Sequence, residues 1–143
     1  MPRWLPGAAA AVTLLLLGGT PAALPAQGAP VVALVVGVKG DPFYVTMQKG
    51  AQAEADKVGA QLIVDGPAQF DAVQQTPIVD ALIARRIDAL LIAATDKQAM
   101  IPPLQRANDA GIKVISVDTF IGDGDYANGP VTFPLSYIGS DNI

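Results

Sequence analysis

Asp41-Pro42-Phe43-Tyr44 places a carboxylate, a helix-starting proline and two adjacent aromatic rings directly after the apolar run Val31 to Val38. A carboxylate accepts hydrogen bonds from hydroxyls, and an aromatic face covers apolar C–H surface. A sugar-like ligand asks for both. Local reading leaves two roles open: Asp41 is also a good helix N-cap with Pro42 in the first helical position, and Phe43 and Tyr44 would serve equally as core. A second group follows the run Val114-Ile115-Ser116-Val117, which ends in Asp118-Thr119 with no obvious cation nearby. Lys39, Asp65 and the pair Thr95-Asp96 complete the polar residues at the ends of apolar runs. Asp65 precedes Gly66-Pro67 and reads as a turn residue; Asp96 reads as a cap.

The elements that must position these residues form a repeat. Apolar runs centre near Val35, Ile63, Leu91 and Ile115, about 24–28 residues apart, a spacing that suits a strand plus a crossover helix. The runs are nearly continuous in Val, Ile, Leu and Ala, as strands of a parallel sheet covered on both faces are. The spacing predicts a first helix over Pro42 to Val58, with Met47, Ala51, Ala55 and Val58 inward and Gly59 ending it. A second helix lies between Asp71 and Arg86, with Ile78, Val79, Leu82 and Ile83 inward. It either runs through Pro77 with a kink or starts regularly with Thr76 as cap. A third runs to about Ala110, with an irregular first turn at Pro102-Pro103. Residues 119–134 read as a long loop, and Leu135 to Gly139 as a short fifth strand. In such a sheet the carboxyl ends of the strands form the ligand-binding edge, and the polar residues named above all fall there.

Composition excludes several classes. The 143-residue chain, 51% hydrophobic and 15% charged, is a folding chain of about one domain. Its net charge of −4, without a run of Lys or Arg, gives no nucleic-acid footprint. It has no Cys and no His, which removes thiolate and imidazole chemistry, a Ser-His-Asp triad and the commonest metal ligands. Gly37 and Gly40 lack the third glycine of a dinucleotide fingerprint. Asp123-Gly124-Asp125 opens like a calcium loop, but Ala127 occupies a ligand position and no Glu closes it. No cofactor, metal or enzymatic activity is expected. At the N-terminus, Arg3, the apolar run Ala8 to Leu17 and the small residues beyond have the layout of a secretory signal peptide. Cleavage is expected after Ala26, with Ala22 or Ala23 as alternatives. It would take the charge from −4 to −5.

Five phrases in order give the chain a family resemblance: Lys39-Gly-Asp-Pro-Phe-Tyr, Gln48-Lys-Gly-Ala-Gln-Ala-Glu-Ala, Ile87-Asp-Ala-Leu-Leu-Ile with Thr95-Asp96, Ala110-Gly-Ile-Lys-Val-Ile-Ser-Val-Asp-Thr, and Tyr137-Ile-Gly-Ser-Asp-Asn. The chain resembles the first lobe of the periplasmic sugar-binding proteins of ABC transporters, of the ribose- and galactose-binding kind. The resemblance implies an α/β fold of the periplasmic-binding-protein-like type I, in which two lobes joined by a three-segment hinge close on a sugar. It implies ligand contacts from Asp41, Phe43, Tyr44, Asp118, Thr119 and Ser140. Asp41 stands where the family has Asn, Thr119 where it often has Arg, and Ala93 where ribose binders have Asn. These departures make the site acceptor-rich, suited to a neutral sugar or polyol or to a cationic ligand, and speak against ribose itself. Hydrogen bonds to a charged group are worth about 1.5–3 kcal/mol each.

The expected organisation is a signal peptide over 1–26, a sugar-binding lobe over 27–139, and the start of a hinge crossing at 140–143. The second lobe is expected to lie outside this chain, which reads as an incomplete reading frame or a relic. The implied function is the substrate-binding component of an ABC-type sugar importer. It would be free in the periplasm, monomeric when full length, with a monosaccharide and a membrane permease as partners. The alternative is a sugar-sensing receptor of the same fold for chemotaxis or a two-component system. A sugar-responsive transcription regulator would need a helix-turn-helix where the signal peptide stands.

Overall fold

In the computed structural model, residues 28–140 are described. The expected signal peptide, and all of the expected hinge segment except Ser140, lie outside them. Five strands, β1 (Val31–Val35), β2 (Gln61–Asp65), β3 (Ala89–Ile92), β4 (Lys113–Val117) and β5 (Tyr137–Ile138), form one sheet in the order β2-β1-β3-β4-β5. Every neighbouring pair is parallel. Three helices, α1 (Pro42–Val58), α2 (Ala72–Ala84) and α3 (Ile101–Asp109), link the first four strands.

Alternation along β1 decides which helix covers which face. Ala33 and Val35 join one core cluster with Val79 and Leu82 of α2 and Leu104 and Ala107 of α3. Leu34 and Val36 join the other, with Tyr44, Met47 and Ala51 of α1. Both faces of β1 are therefore buried, as its unbroken run of Val, Ala and Leu requires. Register aligns the carboxyl ends: Val35 lies beside Asp65 and Ile92, Ile92 beside Ser116, and Ser116 beside Tyr137. The chain leaves β1 toward β2 and then returns across it to β3, so the strand order reverses between β1 and β3. That switch point opens a crevice at the carboxyl edge.

Local chemistry sets the element ends. Asp41 caps α1, its carboxylate accepting from Phe43 N–H at 2.9 Å. Pro42 fills the first turn, and Gly59 closes the helix at φ 74°, where a residue with a Cβ would be strained. α2 begins at the Asp71 cap and runs through Pro77, the first of the two arrangements its sequence allows. The donor Pro77 lacks would have served Val73 in the first turn, on a residue 80% exposed. α3 carries its prolines in the first turn, where their missing N–H groups are not needed. At the sheet edge, Leu135 N–H already donates to Val114 O at 2.8 Å, but strand geometry holds only over Tyr137–Ile138, a shorter fifth strand than the sequence predicts. The loop over 119–134 is tied down by Tyr126, whose hydroxyl meets Ser116 Oγ at 2.6 Å and accepts from Ile121 N–H at 2.8 Å.

Candidate functional site

Asp118 is the best-anchored polar residue of the carboxyl edge. Its N–H donates to Ile138 O of β5 at 2.9 Å. Its carbonyl accepts from the Tyr137 hydroxyl at 2.8 Å. Its carboxylate accepts from the Tyr44 hydroxyl at 2.8 Å. The residue sits at φ 62°, and Thr119 N–H closes a tight turn onto Val117 O at 2.6 Å. A non-glycine residue at positive φ costs free energy that the surroundings must repay, and such residues concentrate at functional sites. Here β5 and Tyr137 hold the Asp118 backbone and Tyr44 holds its carboxylate at the mouth of the crevice.

Tyr44 reaches Asp118 from the first turn of α1 across the end of β1. It can do so because Gly37 has no side chain: a Cβ there would collide with the Tyr44 hydroxyl and lie 2.7 Å from the Phe70 ring. Tyr44 is buried, and Phe43 meets it edge-on with ring centroids 5.3 Å apart. Burial first, then the hydrogen bond to the Asp118 carboxylate and the negative charges of Asp118 and Asp41, push the Tyr44 phenol well above its ordinary value of 10. The group stays a hydrogen-bond donor at any physiological pH. Thr119 turns its hydroxyl to Ala94 O at 2.8 Å, joining the end of β4 to the end of β3.

Around this anchor lies a cavity of about 300 Å³, whose wall includes Thr95, Asp118, Thr119, Lys97 and three aromatic rings, Phe70, Phe120 and Tyr137. Phe120 and Tyr137 pack edge-on at 6.2 Å, and the Lys97 ammonium lies 5.1 Å over the Phe120 ring. The expectation that no cation stands near Asp118 is corrected here: Lys97, one residue past the Asp96 cap, shares its cavity. With both signs present the wall is not acceptor-rich alone.

The other edge residues do different work. Asp41 caps α1, exposed. Asp96 accepts from Gln98 and Ala99 N–H at 2.8 Å each, a cap as its position suggests. Asp65 pairs with Lys39 at 2.6 Å and accepts from Gly66 N–H at 2.7 Å. Burial works to raise its pKa, but these hydrogen bonds and the charges of Lys39 and Arg85 prevail and hold it below the ordinary 3.8. That pair borders a separate hollow of about 200 Å³ beside Tyr44 and Gln48. Ser140 is exposed, just beyond β5. A larger hollow, about 610 Å³, lies at the opposite, amino-terminal edge between Arg86, Asp88, Gly111 and Lys113, away from these residues. Asp123 and Asp125 accept from backbone N–H groups of their own loop, and no group of three metal-ligating side chains occurs among the described residues.

One buried residue gives the crevice its shape and escapes the polar-edge pattern. Gln75 of α2 is fully buried. Its amide nitrogen donates to Ala93 O at 2.8 Å and Val36 O at 3.4 Å, and its oxygen accepts from Thr95 N–H at 2.9 Å and the Thr95 hydroxyl at 3.0 Å. It bridges β1 and β3 where they diverge. Its signal was a polar side chain on the inward stripe with Val79 and Leu82, at spacings of four and seven. Phe70 had the same signal as Phe43, an aromatic beside a helix cap after a strand.

The chain is thus an α/β sheet with a strand-order reversal, crowned at its carboxyl edge by a held carboxylate among exposed aromatic rings. The sequence profile of the periplasmic binding protein domain matches residues 32–143, and the chain belongs to that family. It is 36% identical over 112 residues to the ribose import binding protein RbsB of Escherichia coli (strain K12), covering 78% of this chain and 35% of RbsB. Among solved structures it resembles an ABC transporter solute-binding protein from Agrobacterium vitis bound with α-D-tagatopyranose, at 52% identity and TM-score 0.76, covering 79% of this chain and 39% of that one. It also resembles one from Actinobacillus succinogenes with bound D-allose, at 28% identity and TM-score 0.69, covering 79% of this chain. The chain spans about a third of the length of the relatives it matches.

Proposed function

We propose that this chain supplies one wall of a sugar-binding cleft in the periplasmic, substrate-binding component of an ABC-type importer. The observation that carries the reading is Asp118, held at backbone and carboxylate by β5, Tyr137 and Tyr44 in a cavity walled by aromatic rings. A carboxylate for ligand hydroxyls and ring faces for C–H surface are what a pyranose or furanose requires. Asp118 and Thr119 would take hydroxyls, and Phe43 an exposed ring face. Tyr44 would act through Asp118, Asp41 would stand at the rim, and Ser140 at the crossing to a second lobe. In this reading residues 1–26 direct export, 27–139 form the lobe, and a permease receives the closed, loaded form. The protein binds without turnover, with no cofactor. The likeness to an import binding protein and to solute-binding proteins with bound sugars supports the reading as an importer's sugar-binding component.

The test is a ¹⁵N NMR titration of the chain with D-tagatose, D-allose and D-ribose up to tens of millimolar. Amide shifts confined to the ends of β3, β4 and β5, to Phe43 and Tyr44 in the first turn of α1, and to Phe70 are expected for at least one sugar. Shifts elsewhere, or none, would overturn the reading.

A further inference from the structure

We infer that Lys97 is a specificity-determining residue of this cleft, donating to a ligand oxygen while Asp118 accepts from a ligand hydroxyl. The inference rests on the reading of the cleft as a sugar site and deepens it. Two charged side chains line the cavity, Lys97 and Asp118, and they come from adjacent strand ends. Each of the three ion pairs among the described residues joins other partners, Lys39–Asp65, Lys57–Glu54 and Arg106–Asp80. The neighbouring Asp96 carboxylate is engaged by the N–H groups of its own turn. The Lys97 ammonium lies over the Phe120 ring face and feels the charge of the neighbouring Asp96; the ring attracts the cation yet leaves its N–H donors to be used.

The backbone beneath it is fixed. Lys97 O accepts from Gly122 N–H at 2.8 Å, which ties the β3–α3 turn to the loop after β4. An ammonium over an aromatic ring, sharing a cavity of about 300 Å³ with a held carboxylate, grips a ligand whose groups both donate and accept. A neutral sugar hydroxyl does both. A cationic amino sugar would gain at Asp118 and lose at Lys97; a sugar acid would do the reverse. The opposed charges thus select a neutral sugar, and Lys97 is the member that excludes the cation.

The decisive experiment compares the 143-residue chain with Lys97→Met and Lys97→Arg by NMR titration, using D-tagatose and D-galactosamine as probes. Methionine keeps the carbonyl bond to Gly122 and an apolar stem against Phe120, so melting temperature should not change. D-Tagatose affinity should fall about tenfold or more in Lys97→Met, the loss expected for a charge-assisted hydrogen bond, and Lys97→Arg should retain most of it. D-Galactosamine should bind the methionine variant more tightly than the parent. A role limited to folding would not reverse the order of two ligands. If D-tagatose binds the parent at this edge and Lys97→Met leaves both affinities unchanged, the inference falls and the sugar site stands. If neither probe shifts the edge amides of the parent, both fall together.

Discussion

Asp118 bears a conformational cost that its neighbours offset. Positive φ costs an L-residue about 1–2 kcal/mol, and the Tyr44 hydrogen bond to a charged group returns about as much. Replacing Asp118 by Gly removes both, so the urea midpoint should move by no more than about 1 kcal/mol equivalent, while sugar affinity falls more than tenfold. A large loss of stability with affinity intact would reverse the assignment. Tyr44 gives a separate spectroscopic check. Its phenol is raised, so the folded state holds that proton more tightly than the unfolded chain. The fold therefore loses stability as pH rises above the ordinary tyrosine value near 10. The Tyr44 phenol should fail to ionise in an absorbance titration until the chain unfolds, and Tyr44→Phe should remove that delayed step. A titration that Tyr44→Phe leaves without loss of a delayed step would contradict the Tyr44–Asp118 bond.

At the scale of elements, the crevice depends on Gln75 crossing between β1 and β3. Gln75→Leu preserves size but leaves Ala93 O and Thr95 N–H without their partner inside the core. Orphaned buried groups cost about 1–3 kcal/mol each, so a loss of about 2–5 kcal/mol is expected in chemical denaturation, and a neutral result would show that the clamp is dispensable. The Lys39–Asp65 pair at the end of β2 is a surface contact of small worth. Because the Asp65 pKa is lowered, its contribution is present above the ordinary value of 3.8 and fades as pH falls through the lower, folded value. Wild type and Asp65→Asn should differ in stability at pH 6 and converge near pH 2.

Legibility also divides at this scale. α1 was readable to its ends because Asp41, Pro42 and Gly59 are local signals, and four strands because each is an apolar run of its own. The end of β5 was not, since an edge strand is delimited by its single partner. The edge residues Asp41, Asp65, Asp96 and Asp118 were locatable from strand ends. Which of them cap, pair or face the cavity depended on contacts between distant segments, as in Tyr44 with Asp118. Lys97 and Gln75 carry no local signal of their roles for the same reason: one is a solvated charge and the other an interior amide until the sheet register brings β1, β3 and β4 together.

For the whole molecule, the proposed site is one wall of a cleft. Phe43, Phe70, Phe120 and Tyr137 are each 37–51% exposed, an unusual concentration of uncovered rings at one edge unless a ligand or a second lobe meets them. A sugar held from one side keeps much of its surface in water, so the 143-residue chain alone should bind sugars no more tightly than about millimolar, and a micromolar dissociation constant would show that one wall suffices. The central claim, that Asp118 at this edge holds the sugar, is tested most directly by calorimetry on a chimera. In it, residues 28–140 replace the matching lobe of the Agrobacterium vitis protein. The chimera should bind D-tagatose, and Asp118→Ala within it should weaken binding more than tenfold with the fold intact; an unchanged affinity in that variant would contradict the account.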